Sequence, residues 1–167
     1  MNYSGIIKND FSAAPGISVT LFVSGCDFHC HGCHNPEAQN YQYGNEYTNN
    51  TTNEIIEAIG KNNINRNFCV MGGEPLSPPN RETVFHIIKK IKNNFPNIKI
   101  YLWTGYTYEN ISKEVDLSDI DYLIDGPFIQ EQRDVTLHMR GSRNQRVIDV
   151  KETLKQNKII LSSEVIK

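Results

Sequence analysis

No stretch of this sequence approaches the about 20 consecutive apolar residues that a membrane-spanning helix needs, so nothing in it predicts a bilayer span. Its start, Met1-Asn-Tyr-Ser-Gly-Ile-Ile-Lys-Asn-Asp10, has neither the positive charge nor the apolar stretch of a secretory signal. The expectation is a cytoplasmic protein. A basic excess is missing too: 17 Lys and Arg face 19 Asp and Glu, for a formal net charge of -2. The electrostatic footprint of a nucleic-acid binder is therefore absent. With no internal repeat, low-complexity tract or linker, the 167 residues read as one domain over 1–167, enough chain for one filled core and short for two.

Cysteine is scarce, yet three of the four fall within eight residues: Cys26, Cys30 and Cys33 in the run Gly25-Cys-Asp-Phe-His-Cys-His-Gly-Cys-His34. In a reducing compartment, clustered thiols bind metal more often than they form disulfides. The spacing C-x3-C-x2-C turns three thiolates inward from one tight loop. That suits a cubane [4Fe–4S] cluster, which ordinarily takes four cysteines. One iron is then left open to a ligand, by the logic that separates open catalytic zinc from closed structural zinc. Zinc itself is the competing reading, with His34 completing a Cys3His set and His29 and His31 nearby. Two points weigh against it: adjacent Cys33 and His34 aim poorly at one small ion, and structural zinc sites usually pair two separated knuckles. The fourth cysteine lies in Phe68-Cys69-Val70-Met71, which reads as a strand. It is expected to be a buried small hydrophobe.

Apolar, β-branched runs recur at 17–24, 68–71, 98–103, 120–124, 146–150 and 159–162. Between them lie helical patterns. Val84, Ile87, Ile88, Ile91 and Phe95 repeat at helical spacing, with Asn80 as expected N-cap and Pro96 as stop. Thr51-Thr-Asn-Glu54 carries a capping-box signature ahead of Ile55, Ile56 and Ile59. This strand, helix, strand rhythm predicts an α/β fold with a mostly parallel sheet and crossover helices. Residues 35–50 are polar and read as a long loop, while Lys89, Lys90 and Lys92 read as a solvated face.

Unusual residues follow four consecutive runs: Gly25-Cys26, Gly72-Gly73-Glu74-Pro75, Thr104-Gly105-Tyr106 and Asp125-Gly126-Pro127-Phe128. Parallel α/β proteins bind ligands outside the carboxyl ends of their strands, so the four turns predict one shared pocket. Gly-Gly and Pro punctuate any strand end, and that alone explains the second turn. Its functional reading is that residues without Cβ let a small molecule reach the backbone, where edge carbonyls accept from an ammonium and Glu74 adds negative charge. Trp103 reads as core, and His86 and His138 as ordinary residues. Arg133, Arg140, Arg143 and Arg146 form either a solvated loop or a docking surface.

The Cys loop after one strand and Gly-Gly-Glu-Pro after the next resemble the radical S-adenosylmethionine superfamily. The resemblance implies that the amine and carboxylate of S-adenosylmethionine chelate the open iron, and that one electron cleaves the sulfonium to methionine and a 5′-deoxyadenosyl radical. Cys26, Cys30 and Cys33 would then be the metal ligands, and Gly72, Gly73 and Glu74 would orient the cofactor. One departure is that Gly32 stands just before the third Cys, where the superfamily usually has an aromatic residue. The ring of His34 is expected to substitute, with Gly32 and Cys33 giving backbone access to the adenine.

Within the superfamily, the chain is similar to the small activating proteins of anaerobic ribonucleoside-triphosphate reductase. The similarity is carried by the Cys loop ending Gly32-Cys-His-Asn-Pro36, by Tyr101-Leu-Trp-Thr-Gly-Tyr106, by Asp125-Gly-Pro-Phe128 and by Gly141-Ser-Arg-Asn-Gln-Arg146. It implies hydrogen abstraction from a glycine of the reductase, flavodoxin or ferredoxin as reductant, and a partial, open (β/α) barrel. A complete barrel would need ~250 residues. The alternatives are a radical enzyme acting on a small molecule, such as a deazapurine-forming synthase, or a non-enzymatic zinc-binding module.

Overall fold

Large apolar side chains point to both sides of the central strands, the pattern of a sheet covered on two faces. The computed structural model describes residues 1–163. Its strands are β1 (Asn2–Asp10), β2 (Ile17–Val23), β3 (Asn45–Glu46), β4 (Arg66–Gly72), β5 (Ile100–Trp103), β6 (Tyr122–Asp125) and β7 (Arg146–Asp149). The helices among the described residues are α1 (Asn49–Gly60), α2 (Pro78–Asn94), α3 (Tyr108–Ile111) and α4 (Val150–Gln156). They accompany one open sheet of order β3-β1-β2-β4-β5-β6-β7. Among the described residues no helix is long and apolar enough to cross a membrane.

The centre, β2, β4, β5 and β6, is parallel, whereas β1 and β7 run antiparallel to their neighbours. The sheet is thus mixed at its edges. For 146–150 the expected parallel pairing is corrected, because a parallel return needs a crossover, usually a helix, that carries the chain back to the other end of the sheet. The chain between β6 and β7 supplies only a 3-10 turn, Gln130–Gln132, so it re-enters at the end it left. The run 159–162 is not a strand either; Leu161 makes one isolated bridge to Ile148. Residues 35–50 hold a 3-10 turn at Pro36–Gln39, then β3, then the start of α1, so they are not one loop.

Helix α2 begins at Pro78, after N-cap Ser77. Proline fits the first helical turn because its missing N–H would be unpaired there anyway. Asn80 therefore lies inside the first turn and is not the cap. In α1 the cap is Thr48, and Thr51 reaches back to accept from its N–H at 3.2 Å, three residues ahead of the expected start. Both helices cover one sheet face: Ile55 and Ile59 of α1 and Val84, Ile87, Ile88 and Ile91 of α2 pack on Val19, Leu21, Phe68, Val70, Ile100 and Leu102. Each such side chain contributes about 1.5–3 kcal/mol on full burial. The opposite face carries a smaller cluster of Ala13, Ala14, Cys69, Tyr101, Ile124 and Val147, joined by half-buried Met71, Trp103, Tyr122 and Met139.

Candidate metal and cofactor site

At the carboxyl end of β2 the chain turns through Gly25, whose φ of +98° disfavours any side chain and whose missing Cβ would collide with the ring of Tyr41. The Tyr41 hydroxyl donates to Asp27 at 2.9 Å. The N–H groups of Gly25 and Cys26 donate to the carbonyls of Ala38 and Gln39, at 2.7 and 3.0 Å. A bond from Cys33 N–H to the Cys30 carbonyl, 3.1 Å, closes the far side of the loop. His29, at φ 47°, pairs its Nδ1 with Gln39 Oε1 at 2.9 Å.

Cys26, Cys30 and Cys33 are all partly exposed on this loop, whereas Cys69 is buried on β4, as expected. Burial pushes the Cys69 thiol up to about 12, and it also raises that of Cys26. Among the described residues no three His, Cys, Asp or Glu side chains converge as a metal-ligand group, so the three thiols share a loop without being drawn to one point. This donor set suits a cluster with three thiolates and one iron lacking a protein sulfur. His31, Gly32 and His34 lie on the exposed side of the loop, and the open face of Gly32 meets the side-chain amide of Gln130.

Gly-Gly-Glu-Pro follows β4 directly beside this loop. Gly73 N–H donates to the Val23 carbonyl at 2.8 Å, and Glu74 N–H to the Gly25 carbonyl at 2.7 Å. A Cβ on Gly72 would lie 2.5 Å from Val23 O, and one on Gly73 would lie 2.5 Å from Gly25 O and 2.9 Å from Ala38 O. The space left by the two absent side chains is thus filled by β2 and the Cys loop. Glu74 is 1% exposed. Its Oε1 accepts from Leu76 N–H at 2.9 Å and Thr104 Oγ1 at 2.7 Å, and its Oε2 from Gly105 N–H at 2.7 Å. Burial outweighs these donors and pushes its carboxyl up to about 7. Three of the roughly four acceptor positions of a carboxylate are already used inside the protein.

After β5, Gly105 lies against the ring of Phe28 from the Cys loop; an added Cβ would sit 2.8 Å from its carbons. Phe28 also meets Tyr106 edge-on, with centroids 5.0 Å apart. Trp103 is half-buried and donates its indole N–H to the Met139 carbonyl at 2.8 Å. After β6, Asp125 is 1% exposed and takes both Nε and Nη2 of Arg146, together with Tyr108 N–H at 2.7 Å. Arg146 also holds both oxygens of Glu109, at 2.9 and 2.8 Å, so it is an internal clamp and leaves the expected solvated or docking set. Three polar side chains stitch residues 126–145 together. Gln145 takes the N–H groups of Gly141 and Ser142 and donates to Gly126 O, Asn144 donates to Pro127 O, and Ser142 Oγ donates to Asn144 Oδ1.

The four expected turns therefore gather at one sheet end. A surface cavity of about 380 Å³ lies elsewhere, among Pro96, Lys99, Asp121, Asp149 and Lys151. Sequence reasoning missed Tyr41, the Gln145 network and Asn80, whose fully buried amide nitrogen donates to Ser24 O at 2.9 Å and Glu74 O at 3.0 Å. An asparagine three residues after a Ser-Pro cap was the available signal for the last.

The 4Fe-4S single cluster domain family matches residues 13–148. Three curated relatives carry the name anaerobic ribonucleoside-triphosphate reductase-activating protein. That of Vibrio cholerae is 39% identical over 148 residues, covering 87% of this chain and 96% of its own. That of Enterobacteria phage T4 is 39% identical over 147 residues, with coverage of 88% and 93%. The protein of Escherichia coli K12 is 35% identical over 152 residues, covering 88% and 97%.

Proposed function

The chain belongs to the family of anaerobic ribonucleoside-triphosphate reductase-activating proteins, and we propose that it installs a glycyl radical on such a reductase through a [4Fe–4S] cluster and S-adenosylmethionine. When bound and reduced, the cluster would supply one electron for reductive cleavage of the sulfonium of S-adenosylmethionine, the chemistry by which a hydrogen atom would be taken from a glycine Cα of the reductase. Cys26, Cys30 and Cys33 would hold the cluster and leave one iron without a protein thiolate, open to the cofactor. The observation that carries this reading is the bonding of the Gly-Gly-Glu-Pro turn to the end of β2 and the Cys loop that follows it, through Gly73 N–H to Val23 O and Glu74 N–H to Gly25 O.

Those bonds put two chemistries side by side: thiols for iron, and a strand edge with a buried acid for the cationic end of S-adenosylmethionine. Because the glycine faces are filled by backbone, Gly72 and Gly73 act by holding the edge close to the Cys loop. Glu74, already holding three donors, acts by fixing the turn and, in its ionised form, through its charge on the cofactor. Gly32, Cys33 and His34, on the exposed side of the loop, flank the adenine. The open sheet is a partial barrel of the radical S-adenosylmethionine type, whose missing strands leave a side entrance for the reductase's glycine loop. Flavodoxin or ferredoxin delivers the electron, in the reducing cytoplasm where free thiols persist.

The test is anaerobic reconstitution with iron and sulfide, then S-adenosylmethionine, a reductant and the reductase, read by electron paramagnetic resonance. A glycyl doublet is expected. An intact cluster that cleaves S-adenosylmethionine without producing the doublet would transfer the reading to a small-molecule substrate. A colourless protein retaining only zinc would remove the enzyme reading altogether.

A further inference from the structure

We propose that Asn80 is the positioning residue that sets the separation between the cluster-holding loop and the cofactor-holding turn, an inference that rests on the reading of those two segments above. Its side chain is fully buried in the first turn of α2. One amide nitrogen donates at 2.9 Å to the carbonyl of Ser24, two residues before Cys26, and at 3.0 Å to the carbonyl of Glu74. The Gly25 carbonyl lies at the longer distance of 3.5 Å, and all three neighbours are carbonyls, so only the NH2 end can face them. Its two hydrogens diverge at a fixed angle within a planar group. The two loops are thereby referenced to one rigid object.

That object is tied to the core. Helix α2 starts at a Ser-Pro-Pro sequence and seats Val84, Ile87, Ile88 and Ile91 in the main apolar cluster. Backbone bonds between the Cys loop and the Gly-Gly-Glu-Pro turn let the pair move together. The Asn80 amide adds a fixed point outside both. Its Oδ1 is buried without a hydrogen-bond partner. An aliphatic residue would remove the unpaired Oδ1 but would take the donor from both carbonyls, so the amide's distinguishing act is to bridge the two loops through one NH2 group.

The test compares reconstituted wild-type protein with Asn80→Ala and Asn80→Asp, the second keeping the shape while placing an acceptor against two carbonyls. Iron and sulfide content is measured first, and every signal is normalised to it. S-adenosylmethionine is then titrated against the reduced-cluster electron paramagnetic resonance spectrum, while thermal unfolding of the apo protein reports the fold. Both variants are expected to melt cooperatively and take up cluster, but to need about tenfold more S-adenosylmethionine for the spectral change, the scale of two lost neutral hydrogen bonds. Wild-type titration curves in both variants overturn the proposal. Loss of cooperative melting in both assigns Asn80 to folding alone and also overturns it. A wild-type spectrum indifferent to S-adenosylmethionine overturns the cofactor reading, and this inference with it.

Discussion

Replacing Glu74 by Gln decides whether burial or hydrogen bonding governs the acid beside the Cys loop. Burial pushes its carboxyl up to about 7 against three donors, from an ordinary value of 4.5. Below the ordinary value the group is neutral in folded and unfolded chains alike, and its titration has no effect on stability. As pH rises from there towards 7, the unfolded chain ionises while the folded one does not. Stability is present at the acid end and is lost on the way up, at about 1.4 kcal/mol per pH unit. Across the window the loss is about 3 kcal/mol, on the order of a fifth to three fifths of the net stability of a typical domain.

Gln at position 74 keeps the volume and cannot titrate. Its oxygen can accept from Leu76 N–H and Thr104 Oγ1, but its NH2 then faces Gly105 N–H, donor against donor. That conflict costs about 1–3 kcal/mol. Near pH 5 the variant is therefore expected to be the less stable protein. Between about pH 5 and about pH 7.5 the wild type should lose about 2 kcal/mol relative to the variant as Glu74 ionises, so the gap narrows by that amount. Urea unfolding of the two apo proteins, with a reductant present, measures the gap; the titrations of every other group cancel in the difference. A gap equal at both pH values refutes the reasoning, because Glu74 would then be ionised throughout and its three donors would outweigh burial.

Gly73→Ala sets a Cβ between two backbone carbonyls, at 2.5 and 2.9 Å, so the Cys loop must shift; the expectation is a loss of about 1–3 kcal/mol with reduced iron uptake, and a normal urea midpoint with normal iron content would refute it. Arg146→Ala strips two donors from Asp125, which is 1% exposed. Fully buried pairs cost about 3–5 kcal/mol to break, but the Arg146 side chain is 30% exposed, so water screens the loss to about 2 kcal/mol. Calorimetry should show a melting temperature about 4–8 °C lower, with no recovery in Arg146→Lys, because an ammonium cannot reproduce the paired geometry; an unchanged melting temperature counts against the clamp. Ser at Cys26, Cys30 or Cys33 should abolish the brown absorption after reconstitution, while Cys69→Ser keeps it; the reverse pattern would place the ligands elsewhere.

What could be read from the sequence was the chemistry that a residue carries by itself or shares with near neighbours. Three thiols at C-x3-C-x2-C, glycine and proline at strand ends, and the spacing of Val84, Ile87, Ile88 and Ile91 are local facts, and the fold keeps them. Strand direction is not local. The run 146–149 has the apolar character of a central parallel strand, and only the lack of a crossover helix after β6 makes it antiparallel. Strand β1 escaped notice for a related reason: a strand flanked on one side only by the two-residue β3, and half-buried or exposed along almost all its length, needs no apolar alternation, and Asn2, Ser4, Lys8 and Asn9 supply none.

Missing side chains are the hardest to interpret, because an absent Cβ looks the same whether a ligand or the protein fills its place. At Gly72 and Gly73 the filler is backbone from β2 and the Cys loop, nearly 50 residues earlier in the chain. Asn80 reaches 56 residues back to Ser24, and Glu74 is met 30 residues on by Thr104. A capping rule read from the helix side assigns Asn80 to the helix, although its amide serves the two loops. On the proposed reading, the residues that would set the distance between cluster and cofactor are thus those whose partners are remote in sequence. Substituting them should change how tightly the two groups meet before it changes whether either one binds.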